Sequence, residues 1–579
     1  MPALVSSPRP WRLALLPALA AGLLACTSQP VSAPPTPAAI KPPVVRVTPS
    51  AAAPASAPAA VAEPASAPYG AAVAARFPDP PVSYRTPAFQ PGHTGFTSNA
   101  ELQALVRGLA GAPRTGATRI QLLSLGSSQT GVPLEALLFT RLPDTDPAAL
   151  IRSGRPTVML VGQQHGNEPA GSEALLVIAQ ELAGGRLETL LERINVLVLP
   201  RANPDGARDN RRETASGIDA NRDHLLLQTP EAQAQALLVR TYQPVVVVDS
   251  HEYTVAGRYI EKFAAVQRFD ALVQYATTGN LPPFVTRAAE EWFRRPLVER
   301  LKAEGLSSEW YYTSSTDVAD RKVSMGGVQP DTARNVQGLK NAVSLLIESR
   351  GVGLGMLHLK RRVHTHVTAI TSVLNSAAER ASDMVKLRQF VDNDVAASAC
   401  QGEAVVESAA TPSEYQLVML DPQTGADKPV TVTWDSALQL RSLKVRARPC
   451  GYWLSAAQSN AVLRLRALGV TVQQLAEEGD MRGEGYRETA REVGTRADVR
   501  GSIAASEGVI HVKVDLQPAL LDVKPGGYYV PLDQPLANLV FAALEPDTQN
   551  SYFANRVVDS LDGLARVMQR PQVRMTPVP

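Results

Sequence analysis

Four short, almost wholly apolar runs constrain this chain most: Thr157 to Val161, Ile194 to Leu199, Val245 to Val248 and Val343 to Ile347. Each is too short for an ordinary helix and lacks the alternation of a strand with one wet face, so each reads as a strand buried on both faces. Helical sequence lies between them. Pro169 to about Leu182 carries proline at its first position and stops at Gly184-Gly185, the usual start and stop signals of a helix. Buried strands alternating with helices predict an α/β fold: a mixed, largely parallel sheet covered by helices on both faces. Upstream, Leu102, Leu105, Val106 and Leu109 share one face of a helix over Asn99 to Ala110, capped by Ser98 or Asn99. Ile120 to Leu125 and Leu134 to Thr140 read as further strands around Gly126-Ser127-Ser128 and Thr130-Gly131.

Chemistry-bearing residues follow these runs closely. His165 and Glu168 come after the first, Asn203 after the second, His251 after the third, and Glu348 ends the fourth. All would gather at the carboxyl edge of one sheet, where open α/β sheets bind ligands. A neutral imidazole and a carboxylate three residues apart bend toward one ion, and a second imidazole completes three ligands. His165, Glu168 and His251 therefore predict a Zn2+ site with its fourth position open to water, the arrangement of a catalytic rather than a structural zinc. Such an ion lowers the pKa of its water from about 16 toward about 7 and polarises a carbonyl.

At 579 residues with 45% hydrophobic content, the chain is long enough to bury at least two cores. Lys plus Arg number 57 and Asp plus Glu 55, and this balance, with no basic stripe, argues against nucleic-acid binding. Arg9 and Arg12 precede the apolar run Leu13 to Ala25, which is too short to span a bilayer and reads as a secretion signal. Its end, Leu23-Leu24-Ala25-Cys26, resembles a bacterial lipobox, so residues 1–26 are expected to be a lipoprotein signal and Cys26 to carry a lipid that holds the protein to a membrane. Residues 27–80, rich in Ala, Pro and Ser, read as a disordered tether. The expected location is the bacterial cell envelope, exported and lipid-anchored. There, Cys400 and Cys450 form one possible disulfide, with two buried free thiols as the alternative.

The motifs His165-Gly166-Asn167-Glu168, Asn203-Pro204-Asp205-Gly206, Gly217-Ile218-Asp219-Ala220-Asn221-Arg222, His251 and Ile347-Glu348 occur in an order that resembles the zinc carboxypeptidases of the carboxypeptidase A type. The resemblance covers roughly residues 84–375. It implies that Glu348 is the general base, that Asn221 and Arg222 clamp the terminal carboxylate of a peptide substrate, and that Arg211 steadies the oxyanion, with Arg212 the alternative one position on. Asp219 is the expected acceptor for the free N–H of His165, fixing its tautomer. One departure stands out: the family's mobile-loop tyrosine has no counterpart in Ser324 to Gln329, which leaves Tyr311 or Tyr312 as substitutes or as packing residues.

Other histidines stay outside this reading. His224 either lines the cleft or is a satisfied structural residue, and His364 and His366 would share one face of a strand. Gly351, Gly353 and Gly355 read as a turn rather than a nucleotide loop. The catalytic region is expected over residues 84–380, and an accessory mixed α/β or β-rich domain over residues 395–579. The expected activity is zinc-dependent removal of C-terminal residues from peptides, cell-wall peptides among the substrates that the location suggests. Two alternatives remain: an N-acyl amino-acid deacylase of the succinylglutamate desuccinylase and aspartoacylase type, and a non-catalytic relative that binds peptides or cell-wall stems.

Overall fold

The computed structural model describes residues 67–114 and 116–578; Cys26 and the tether up to residue 66 lie outside them. The principal sheet has eight strands. β1 (Arg119–Ser127), β2 (Pro133–Thr140), β3 (Thr157–Gly162), β4 (Asn195–Leu199), β5 (Val246–Thr254), β6 (Ala271–Tyr275) and β7 (Ser308–Trp310) are followed, after the short β8 (Thr313–Ser314) and β9 (Lys322–Ser324), by β10 (Val343–Val352). The order across the sheet is β1-β2-β4-β3-β5-β10-β6-β7. β4, β3, β5 and β10 run parallel, and these are the four apolar runs of the sequence. β2 and β6 close the parallel block as antiparallel neighbours on either side.

Helices cover the sheet because their apolar faces match its two sides. Pro169–Gly184 is buried almost throughout, and Leu175, Leu176, Ile178 and Leu182 share a core with Val158, Leu160 and Val248 of the sheet. Asn99–Gly111 begins with a capping box, Ser98 accepting from Glu101 N while the Glu101 carboxylate accepts from Ser98 N. That reciprocal pair satisfies two N–H groups that a helix start leaves bare.

The structure departs from the sequence expectation at three points. Packed chain begins earlier than residue 80: Tyr69, Val73 and Phe77 recur every four residues around the short helix Ala71–Ala74, and all three are buried. Phe77 lies under the Arg350 guanidinium at 3.4 Å, an attraction available to a cation over an aromatic face. His364 and His366 lie on the helix Leu359–Glu379 rather than on a strand. Residues two apart on a helix point to nearly opposite sides, so His364 faces Tyr84 while His366 faces the sheet. The third departure concerns the C-terminal region, which shares its core with the catalytic one.

That region is β-rich. β11 (Glu403–Leu420) and β12 (Asp427–Ala447) form a long hairpin that adds to β9 and β8 in a four-stranded sheet. A seven-stranded sheet holds strands from Gly451–Leu454 to Met575–Pro577. Leu225 and Leu226 of the catalytic region share one apolar cluster with Tyr552 and Phe553, and the Tyr552 hydroxyl donates to Leu225 O at 3.2 Å. Cys400 and Cys450 are joined as a disulfide that staples the end of the helix Ala381–Ala397 to the strand Gly451–Leu454.

Candidate active site

Two motifs far apart in sequence form one backbone junction at the ends of β3 and β4. Ala202 N and Asn203 N donate to the carbonyls of Gly162 and Gln163 at 2.9 and 3.1 Å. Asn203 caps its own short helix at Gly206 N, 2.9 Å, and its Nδ2 donates to Gln164 O at 3.1 Å. Gly166 lies so close to Gly206 that a Cβ there would stand 1.9 Å from the Gly206 carbonyl carbon. Only glycine permits the approach, which aims His165 and Glu168 over the edge of the sheet.

Three donor groups converge there. His165 Nδ1 is 2.9 Å from Glu168 Oε1, His251 Nδ1 is 2.8 Å from Glu168 Oε2, and the two Nδ1 atoms are 3.0 Å apart. Each ring turns its other nitrogen to a carboxylate: His165 Nε2 to Asp219 Oδ1 at 3.0 Å, and His251 Nε2 to Asp249 Oδ2 at 2.8 Å. A carboxylate at Nε2 draws the ring proton to that side and leaves the Nδ1 lone pair facing inward. Two inward lone pairs and a buried carboxylate repel one another unless a cation sits among them, and the N, N, O set fits zinc. The field is strong. Burial opposes charge on His251, yet Asp249 and Glu168 outweigh it and hold that ring well above its ordinary pKa, so a proton and a metal ion compete for the same inward Nδ1. His366 supports the arrangement from behind, its Nε2 within 3.0 Å of His251 O.

Glu348 stands beside His251 in register on the adjacent parallel strand. Burial pushes its carboxyl up to about 8, the Glu168 charge adding to the shift and His251, Arg212 and Arg500 opposing it. Arg350 is not its partner, because that guanidinium stacks on Phe77 and donates to Gln267 O.

The chain reverses at Asn210, whose φ is 47°, and the two following arginines point different ways. Arg211 donates to Thr214 O and does not line the cleft, whereas Arg212 does. Arg212 Nη1 lies 3.1 Å from His165 Nδ1 and 3.2 Å from Glu168 Oε1, while its Nε and Nη2 donate to Asp219 at 3.0 and 2.9 Å. Asp219 thus contacts both His165 and Arg212. Asn221 and Arg222 line the same cleft of about 250 Å³, and so do Tyr311, Arg334 and Arg500. His224 lies buried beneath it, Nε2 2.7 Å from Gln164 Oε1, and burial lowers its pKa to about 4.

Sequence reasoning missed Asp249, Arg334, Asp498 and Arg500. Asp249 alone left a signal, since it precedes His251 by two residues on a strand and so shares its face.

The family described as "Zinc carboxypeptidase" matches residues 114–351. Carboxypeptidase 2 of Trichophyton rubrum is 28% identical over 408 residues, 68% of this chain and 72% of that protein. Carboxypeptidase D of Mus musculus is 30% identical over 224 residues, 32% of this chain and 16% of that protein. Among solved structures, a metallo-carboxypeptidase from Burkholderia cenocepacia aligns over 49% of this chain and 69% of its own, with 16% identity and a TM-score of 0.35. Residues 114–351 are a zinc carboxypeptidase domain, which marks the protein as a peptide hydrolase, and the buried His165, Glu168 and His251 of that domain fit the zinc ion its family uses.

Proposed function

We propose that the protein removes C-terminal residues from peptides, with Glu348 as general base and Arg212 at the oxyanion. The observation that carries this reading is the pair of inward-facing Nδ1 atoms with Glu168 between them, next in register to a protonatable Glu348. His165, Glu168 and His251 would hold the zinc ion, which would polarise the substrate carbonyl and acidify a water. Glu348, beside His251 in register and lining the cleft, takes the proton of the attacking water and returns it to the amine as the peptide C–N bond breaks. Arg212, pinned by Asp219 through two of its nitrogens, turns Nη1 toward the ligands, where charge develops on the carbonyl oxygen. The family match lends no support to the deacylase or to the non-catalytic binder.

Mass spectrometry of a mixed peptide library tests the proposal. Ladders shortened from the carboxyl end should form with zinc, stop with a chelator and resume on zinc addition. Glu348→Gln should hold zinc stoichiometrically while turnover falls by about 10²–10⁴-fold. Internal cleavage, or undiminished turnover in that variant, would defeat the reading.

Export, the lipid on Cys26 and action on cell-wall peptides belong to the same proposal and rest on the residue pattern of the N-terminus. Incorporation of labelled fatty acid that is lost in Cys26→Ala tests the anchor.

A further inference from the structure

Arg222, which the family resemblance assigns to the substrate's terminal carboxylate, has all three of its nitrogens engaged. Nε and Nη2 donate to Asp498 Oδ2 at 3.2 and 2.5 Å, and Nη1 donates to Asn221 O at 2.7 Å. Asn221 is equally occupied. Its Oδ1 accepts from Ala333 N at 2.7 Å, and its Nδ2 faces His251 Nε2 and Asp249 Oδ2 at 3.2 and 3.5 Å.

Asp498 belongs to a small hairpin, strands Ala497–Asp498 and Gly501–Ser502, that the C-terminal region extends into the cleft. The hairpin is tied down on several sides. Ala497 exchanges two hydrogen bonds with the Gln549 side chain at 2.9 and 2.8 Å, Arg500 O accepts from Thr316 N and Oγ1 at 3.3 and 3.2 Å, and Arg496 donates to Arg222 O at 3.0 Å. Arg500 is itself loosely balanced by Asp219 and Asp498, at 3.6 and 3.7 Å.

Among the described residues, two guanidiniums of the cleft have no such partner: the half-buried Arg258, which donates to Ser314 O at 2.6 Å, and the buried Arg334. Arg334 is 5% exposed, and its Nη2 donates to Gly327 O at 2.9 Å. Its buried Nε has no acceptor, and among the described residues no carboxylate pairs with it. Arg334 follows Ala333, whose N–H Asn221 holds, so it stands directly beside the residues first assigned to the clamp. A buried guanidinium with an unmet donor is costly until an acceptor arrives. A carboxylate, with two oxygens in a plane, is the acceptor whose geometry matches the guanidinium fork.

We propose that Arg334 binds the terminal carboxylate of the peptide substrate, and that Asp498, by holding Arg222, makes Arg334 the anchoring guanidinium. The C-terminal region is then part of the active site rather than an appendage. The proposal rests on the carboxypeptidase reading and names a substrate contact within it.

Binding without turnover tests it. In zinc-loaded Glu348→Gln protein, an N-acylated dipeptide and the same dipeptide as its C-terminal amide are compared by calorimetry. The acid should bind more tightly than the amide. Adding Arg334→Gln should weaken the acid by roughly 10–100-fold and leave the amide unchanged, while Arg222→Gln changes acid binding by less than about threefold. Arg334→Lys, which keeps the charge and loses the fork, should fall between. Equal losses for acid and amide, or a larger loss in Arg222→Gln than in Arg334→Gln, overturn the assignment.

Asp498→Ala gives an independent reading even where Arg334→Gln fails to fold. If Asp498 merely plugs an Arg222 clamp, its removal tightens acid binding and the proposal fails; unchanged or weaker binding supports it. Failure of the carboxypeptidase reading looks different, since wild-type protein would then leave the peptide library uncut.

Discussion

Arg362 supports the metal ligands from behind through one buried ion pair. It is 1% exposed and forks onto Glu252, Nε to Oε1 at 2.8 Å and Nη2 to Oε2 at 2.9 Å. Glu252 follows His251, and its N–H donates to Glu168 Oε2 at 3.0 Å. Its carboxylate also accepts from Ala170 N at 2.9 Å, at the start of the helix that follows Glu168, and from the Ser349 hydroxyl on β10 at 3.1 Å. Gly351 makes room for it, since a Cβ there would lie 1.7 Å from Oε1. Arg362→Met keeps much of the volume and removes the charge, leaving a buried carboxylate with neutral donors only. Breaking a buried pair from one side costs about 3–5 kcal/mol, and loss of an outer partner of metal ligands weakens metal binding by about 10–100-fold. Glu252→Gln/Arg362→Met leaves no charge without a partner, and should regain about 2 kcal/mol or more over the single variant. Equilibrium urea unfolding followed by tryptophan fluorescence, with zinc affinity measured by competition, reads both quantities. A single variant within about 1 kcal/mol of wild type, or a double variant no more stable than the single, refutes the view that this pair holds the ligands in place.

Three further outcomes are expected. His224 is buried and its pKa falls from 6.5 to about 4, so it stays neutral in the fold while the unfolded chain takes up a proton. Its contribution is complete above pH 6.5 and is lost as pH falls through about 4, a shift of about 3 kcal/mol; His224→Gln should flatten the loss of urea stability over that window, and an unchanged slope counts against the account. Gly166→Ala should destabilise the protein by about 1–3 kcal/mol or more, because the backbone of Gly206 cannot yield as a side chain would; zinc binding at wild-type affinity would show that the junction is softer than its geometry. Replacing Cys400 and Cys450 with serine opens a loop spanning 50 residues and should cost about 2–4 kcal/mol, read as a lowered urea midpoint of the purified variant.

Local information made the sheet and the metal ligands legible. A strand buried on both faces must be apolar throughout, so β3, β4, β5 and β10 announced themselves, and the first ligand pair is three residues apart on a single turn. Where two residues within one turn compete, the decision passes to backbone geometry that composition does not encode. The positive φ at Asn210 sends Arg212 rather than Arg211 to His165 and Glu168. His364 and His366 were misplaced for a related reason: Arg361 to His366 alternates charge with Val and Thr as an exposed strand does, yet the helical repeat of Leu359, Val363, Ile370, Val373 and Leu374 governs the segment.

The partners of the substrate-binding side are a different matter, because they lie 276 residues apart in the chain. Nothing in Arg222 foretells that an aspartate from a remote hairpin will occupy it, and nothing in Asp498 foretells a guanidinium. Their pairing changes the chemical identity of the cleft. An arginine that matches a family motif is neutralised, and an arginine outside every motif is left with an unmet donor. Motif position therefore identifies the metal chemistry of this protein more securely than its substrate contacts, because three ligands must satisfy one ion's geometry whereas a terminal carboxylate can be met by any guanidinium that the fold leaves free. The side chain that recognises the substrate is then decided by which arginine the C-terminal hairpin occupies, and the acid-to-amide binding ratio in Arg334 and Arg222 variants measures that decision directly.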